Sequence, residues 1–175
     1  MRSKPKQLDA GGLWNYALRV LGSRAHSVNE LRQKLSRRAD SPAAVSETLN
    51  KLHEYGLTDD RKYSEALAST RLQNQGFGRF RVLNELRSKR VAQSVAETAT
   101  NQAYSGTEEI ALIRAFLERK YRGKDLPLLF KDPKNLAGAY RRLRVAGFSS
   151  SASLSVLKQY SSEVDELNAP EEDLT

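Results

Sequence analysis

The sequence predicts an all-α protein made of three tandem three-helix repeats (helix-turn-helix-like), and three observations lead there. Apolar residues recur at spacings of three and four: Leu31 and Leu35; Val45, Leu49 and Leu52; Tyr63, Leu67 and Thr70; Val82 and Leu86; Ile110, Ile113 and Leu117. That is the stripe of amphipathic helices, and no sustained strand-like alternation accompanies it. Helix-end signals bracket these runs. The five prolines, at 5, 42, 127, 133 and 170, leave residues 43–126 free of a residue that breaks helix interiors.

The first repeat is placed at 13–56. Ser27-Val28-Asn29-Glu30 is a capping box, in which the serine and glutamate side chains satisfy orphan amides at a helix start. Ser41-Pro42 sets a capping residue before a proline at the first helical position, and Gly56 closes the run where a left-handed residue is expected. The second repeat, 57–105, opens on Thr58-Asp59-Asp60, with acids at the positive end of a helix dipole. Gly76 ends its first helix, and Val82 and Leu86 mark the next. The third repeat, 107–161, opens on Thr107-Glu108-Glu109, carries Arg122–Pro133 as extra loop and has Gly147 near its end. Gly106 separates the second repeat from the third.

An internal echo supports the division. Leu35 and Leu86 are 51 residues apart, Val45 and Val95 are 50 apart, and Leu86 and Leu143 are 57 apart. Val45-Ser46-Glu47-Thr48 returns as Val95-Ala96-Glu97-Thr98. Each copy reads as a long helix and two shorter ones, with helices of roughly 10–16 residues. A unit near 50 residues buries little apolar surface alone, so neighbours must complete each other's cores in an elongated array with room to curve. Residues 1–12 read as a flexible basic N-terminus and 162–175 as an acidic disordered tail.

Composition narrows the function. The chain holds 29 Lys and Arg against 21 Asp and Glu, a net charge of +8. Six acids and no base fall between Glu163 and Thr175, so residues 1–162 carry +14. A basic body suggests a polyanionic partner. The absence of cysteine excludes disulfides, thiolate metal sites and a catalytic thiol. The basic start has no apolar stretch behind it and no run reaches membrane-spanning length, so a cytoplasmic setting is expected. No heptad seam calls for a coiled-coil dimer, and a monomer is expected.

Enzymatic signatures are poor, and no cofactor, metal or catalytic residue is expected. His26 and His53 read as surface or cap residues. Asp59-Asp60 suits a helix start, since adjacent positions on a helix point in different directions. Gly76-Phe77-Gly78 and Gly123-Lys124-Asp125 lack the elements of a phosphate loop.

The candidate binding residues are therefore basic. Arg32, Lys34, Arg37 and Arg38 lie on or just after the capped helix of the first repeat. Arg79, Arg81, Arg87, Lys89 and Arg90 surround the equivalent helix of the second, and Arg141, Arg142 and Arg144 that of the third. Set along one flank, they would track phosphates or an acidic groove. The same side chains also suit snorkelling over a buried Leu/Val face.

Gly56-Leu57-Thr58-Asp59-Asp60, Tyr63, Arg71, Gly76-Phe77-Gly78 and Glu85-Leu86-Arg87-Ser88-Lys89 form a run that resembles the central signature of the RecX family, bacterial regulators of the RecA recombinase. Ala17-Leu18, Leu21, Arg24, Ser27, Glu30-Leu31 and Lys34-Leu35 match its opening segment, and Gly147-Phe148-Ser149 its end, so the resemblance spans about residues 13–160. Two departures stand out: Lys89-Arg90-Val91 where the family usually has Lys-Gly-Ile, and Ala146-Gly147-Phe148 where it usually has Arg-Gly-Phe. The resemblance implies tandem three-helix repeats and no enzymatic activity. It also implies binding to RecA and its filament on single-stranded DNA, limiting strand exchange, ATP hydrolysis and coprotease function. Weak direct DNA contact is a separate expectation from the basic body. A stand-alone helix-turn-helix-like DNA-binding protein is the alternative that the charge and the capped helices leave open.

Overall fold

The structure, a computed structural model, describes residues 7–161; the expected acidic tail and the first six residues lie outside the described residues. Among the described residues are ten α-helices and one π-helical segment, and the only β-type pairing is an isolated bridge between Leu8 and Ala39. The all-α expectation holds. No described helix is long and apolar enough to cross a membrane.

The chain divides into two compact units. The first takes residues up to Ala68 together with Glu85–Gln102. Its helices α1 (Ala10–Ser23), α2 (Val28–Ser36) and α3 (Pro42–Glu54) pack on one another around Leu13, Ala17, Leu31, Leu35, Val45, Leu49 and Leu52. The ends are set as the sequence dictates: Ser27 and Glu30 form the full capping box of α2, and Ser41 accepts from the Ala44 amide with Pro42 in the first turn of α3. Helix α1 starts earlier than the expected boundary at 13. Gly11 and Gly12 weaken helix propensity, but the Asp9 carboxylate accepts from the Gly12 amide at 2.8 Å, and Leu8 packs on the core.

Helices α4 (Asp60–Thr70), α5 (Arg79–Ser88) and α6 (Gln93–Tyr104) contribute residues to both units. Helix α4 continues into a π-helical turn, Arg71–Gln75, ended by Gly76 at φ 56°. Gly56, Gly106 and Gly147 also take positive φ, as expected of residues that stop helices.

The second unit, Ser69–Asn84 with the chain from Ala103 onward, has its core among α7 (Glu109–Lys120), α8 (Leu126–Leu129), α9 (Pro133–Val145) and α10 (Ser150–Leu157). Ile113, Leu117, Phe130, Leu136, Leu143, Phe148 and Leu157 are its largest buried side chains. Helix α8 falls inside Arg122–Pro133, expected as loop; Asp125 caps its Leu128 amide at 3.1 Å and so closes a single turn. With α2 at nine residues and α10 at eight, several helices are shorter than expected, because their caps fall close together.

Two glycines weld this unit. The Gly78 amide donates to the Ala146 carbonyl at 2.8 Å and the Phe80 amide to the Gly147 carbonyl at 3.0 Å. A Cβ at Gly78 would sit on the Gly147 carbonyl, and one at Gly147 on the Arg81 backbone. Only two bare backbones can approach so closely.

One expectation is corrected. His53 is exposed at the end of α3, but His26 is buried. Its Nδ1 lies 2.9 Å from the Arg24 carbonyl, and burial pushes its pKa below the ordinary value. A ring with one nitrogen bonded to a nearby carbonyl can be buried neutral at a turn that a sequence reading assigns to the surface.

Candidate polyanion interface

In the first unit the structure brings the end of α5 against the start of α2. Ser27 Oγ, already accepting from the Glu30 amide, donates to the Lys89 carbonyl at 2.6 Å. Asn29 donates to the Arg90 carbonyl at 2.8 Å, and the Gln33 amide oxygen accepts from Arg90 Nε at 2.9 Å. Glu30 meets Lys89 Nζ at 2.9 Å and Arg24 at 3.3 Å. Burial alone would raise the pKa of this carboxyl, but the hydrogen bonds from Arg24 and Lys89 outweigh it and hold the pKa down at about 2. Asp60 opens its own helix as expected and also accepts from the Val28 amide at 2.8 Å, helping to cap α2; Asp59 takes the Arg61 and Lys62 amides.

Several candidate cations are thereby occupied. Lys89 is in the ion pair with Glu30, Arg87 lies 3.8 Å from Glu97, and Arg90 is held by Gln33. Arg90 also stands at φ 57°, the one non-glycine among the described residues with positive φ. On α2 and just after it, Arg32 and Arg37 are exposed, Lys34 is half-buried, and Arg38 lies over the Tyr16 ring at 5.1 Å.

The second unit gathers its cations differently. Arg81, Arg141 and Arg142 line one cleft of about 390 Å³ with Lys120, Phe77, Phe116, Gly138, Val145 and Ala146. Among the described residues no carboxylate lines it. The Arg81 guanidinium is stacked over Phe77 at 4.0 Å and donates to the Val145 carbonyl, while Arg142 donates to the Tyr121 hydroxyl at 2.7 Å. Phe77 is anchored through its carbonyl, which accepts from the Tyr104 hydroxyl at 2.7 Å; burial pushes that phenol up to about 12, so it stays a donor. Phe116 packs edge-on against Phe148 in the core. Two candidates lie elsewhere: Arg144 turns back to the Phe148 carbonyl, and Arg79 lines a separate cleft with Phe80, Tyr104 and Glu109. Among the described residues no group of His, Asp and Glu is arranged to hold a metal ion.

The sequence reading missed Lys120, Phe116 and the lining role of Phe77. Phe116 and Lys120 are four apart on α7 and so share a face, which was the available signal. It was hidden because Phe116 sits in an apolar run that reads as core.

Comparison with known proteins places these features. The family model described as RecX, first three-helix domain, matches residues 14–52, and that of the second three-helix domain matches residues 59–99. The regulatory protein RecX of Deinococcus radiodurans is 32% identical over 171 residues, covering 98% of this chain and 77% of the relative. That of Vibrio parahaemolyticus is 32% identical over 133 residues, 76% of this chain and 81% of the relative. The chain belongs to the RecX family. With the relative from Chlorobium phaeobacteroides, 34% identical, the match spans 56% of that protein's length. The crystal structure of RecX from Lactobacillus salivarius has the same fold, with a TM-score of 0.65 over 87% of this chain and 96% of that one, at 20% identity. A second RecX crystal structure gives a TM-score of 0.67 over 84% of this chain and 72% of that one, at 21% identity. The all-α helical repeat fold is thus that of RecX. The two departures from the RecX pattern fall at informative places, Arg90 at the left-handed turn and Ala146 in the lining of the cleft.

Proposed function

We propose that this RecX-family chain regulates the RecA recombinase. It binds RecA and its filament on single-stranded DNA and thereby limits strand exchange, ATP hydrolysis and coprotease function. It acts without catalysis, as a cytoplasmic monomer in DNA repair, recombination and the SOS response. The observation that carries this reading is the convergence of Arg81, Arg141 and Arg142 on one cleft that no carboxylate among the described residues lines, in a chain of the RecX family. Such a surface attracts a polyanion at long range and holds it through charge-assisted hydrogen bonds. Arg32, Lys34, Arg37 and Arg38 supplement it in the first unit, and Arg79 and Arg144 in the second. Arg87, Lys89 and Arg90 take part mainly by shaping the turn that carries them.

The experiment is RecA ATPase on single-stranded DNA titrated with substoichiometric protein. Inhibition is expected for the native chain, and its loss when Arg81, Arg141 and Arg142 are together changed to glutamate with helicity retained. Unchanged inhibition by that variant would show that the second-unit cleft is not the binding surface. Tight RecA-independent binding to duplex DNA with a base preference would instead favour the stand-alone DNA-binding reading.

A further inference from the structure

The cleft of the second unit is not only a patch of charge. Its cations, Arg81, Lys120, Arg141 and Arg142, surround an apolar lining of Phe77, Phe116, Val145 and Ala146, interrupted by Gly138. Gly138 is the informative member. It sits inside α9, where glycine weakens a helix, and a Cβ there would meet nothing closer than an Arg142 nitrogen at 3.9 Å. The helix therefore forgoes a side chain beside open space that could hold one. Elsewhere in this unit glycine is required by close backbone contact or a positive φ; at 138 neither applies.

We propose that this cleft is a nucleotide subsite for single-stranded DNA, taking one base against its apolar lining and the flanking phosphates on the cations around it. The proposal deepens the reading above and rests on it for the partner, since the DNA in a RecA filament is single-stranded. Several observations choose this occupant. The volume of about 390 Å³ lies within the range of small-ligand sites. Aromatic rings interleaved with cations are the arrangement that binds single strands, stacking bases and neutralising the backbone. A duplex keeps the faces of its bases stacked inside and offers phosphates and groove edges, which would leave Phe116 and the gap at Gly138 without a base to stack. An acidic peptide supplies charge but no flat ring. The guanidinium plane of Arg81, held over Phe77, adds a second surface on which a base can stack.

The test separates the subsite from general charge attraction. Gly138→Leu fills the gap, changes no charge and strains no backbone. With the full-length protein and no RecA, anisotropy of a labelled oligothymidylate of about 16 nucleotides should show binding weakened roughly 5- to 100-fold, the loss of one stacked base. Affinity for a duplex of the same length should be unchanged. Arg141→Gln, exposed on the same helix, should weaken both and lower the salt dependence, and circular dichroism should show both variants folded. Iodouracil in the oligonucleotide should crosslink to peptides holding Phe77 or Phe116. Equal oligothymidylate binding by Gly138→Leu and the native chain overturns the subsite, as do crosslinks confined to other helices. Competition by oligoglutamate that is itself relieved by Gly138→Leu assigns the cleft to an acidic peptide and overturns it too. RecA ATPase inhibition, measured alongside, reports on the parent reading separately: inhibition kept without oligothymidylate binding ends the subsite and leaves the regulator, whereas binding without inhibition does the reverse.

Discussion

The junction of α2 with the end of α5 and the cleft beside α9 are both rich in arginine and lysine, yet the two use positive charge in opposite ways. At the junction the cations at the end of α5 have counterparts: Lys89 shares Glu30 with Arg24, Arg87 faces Glu97, and Arg90 is held by the neutral amide of Gln33. In the cleft, Arg81, Lys120, Arg141 and Arg142 converge with no acid among the described lining residues. Charge already matched within the fold is spent on positioning; charge brought together without a match repels itself and awaits an anion. The difference teaches that a cluster of cations in sequence does not by itself define a binding face. The carboxylates that the fold brings against it decide.

The largest effect expected is at the packing that holds the junction. Leu86 is fully buried, and its carbonyl accepts from the Val91 amide at 3.2 Å, closing the turn that carries Lys89 and Arg90. Leu86→Ala should lower the free energy of unfolding by about 2–5 kcal/mol, read from the urea midpoint. A midpoint within error of the native chain would break the claim that junction cations are positioned by buried apolar contacts.

Much of this was legible in the sequence. The helices follow from periodicity and caps, because Ser41, Gly56 and Gly106 act locally and their geometry depends on the residues beside them. The candidate cations were identifiable as a set, but not their division, because which acid reaches which cation depends on packing across long stretches of chain. Glu30 reads as a capping residue and also neutralises Lys89, 59 positions away. Asp60 reads as the start of its own helix and caps another. The cleft was least legible, since Phe116 lies within an apolar stretch of α7 and lines a surface only once α7 and α9 have both packed on α10.

A smaller effect tests the matched charges directly. Glu30→Gln keeps the shape of the capping box and removes the charge that pairs with Arg24 and Lys89. The expected cost is about 1–2 kcal/mol, less than for fully buried charged hydrogen bonds because solvent screens part of the pair. Its pH dependence has a definite sign. The carboxyl has its pKa at about 2 when folded, below its ordinary 4.5, so its contribution is complete above about 4.5 and is lost as pH falls toward 2. The gap between the native chain and Glu30→Gln in thermal unfolding should therefore narrow over that interval. A gap that persists through it would mean that shape rather than charge carries the junction.

The smallest effect runs the other way. Arg90 holds φ 57°, a conformation that costs a side-chain-bearing residue roughly 1–2 kcal/mol and glycine almost nothing. Arg90→Gly relieves that cost, while glycine's extra freedom in the unfolded chain and the lost contact with Gln33 offset part of it. The expected net is a gain of about 0.5–1 kcal/mol, with a rise in melting temperature of a few degrees and oligothymidylate affinity unchanged. Arg141→Gln in the cleft should do the converse, leaving stability alone and weakening the oligonucleotide. If Arg90→Gly instead costs affinity as much as Arg141→Gln does, the arginine is kept at its strained turn for the partner. The junction then belongs to the binding surface, and its matched charges are no guide to what it binds.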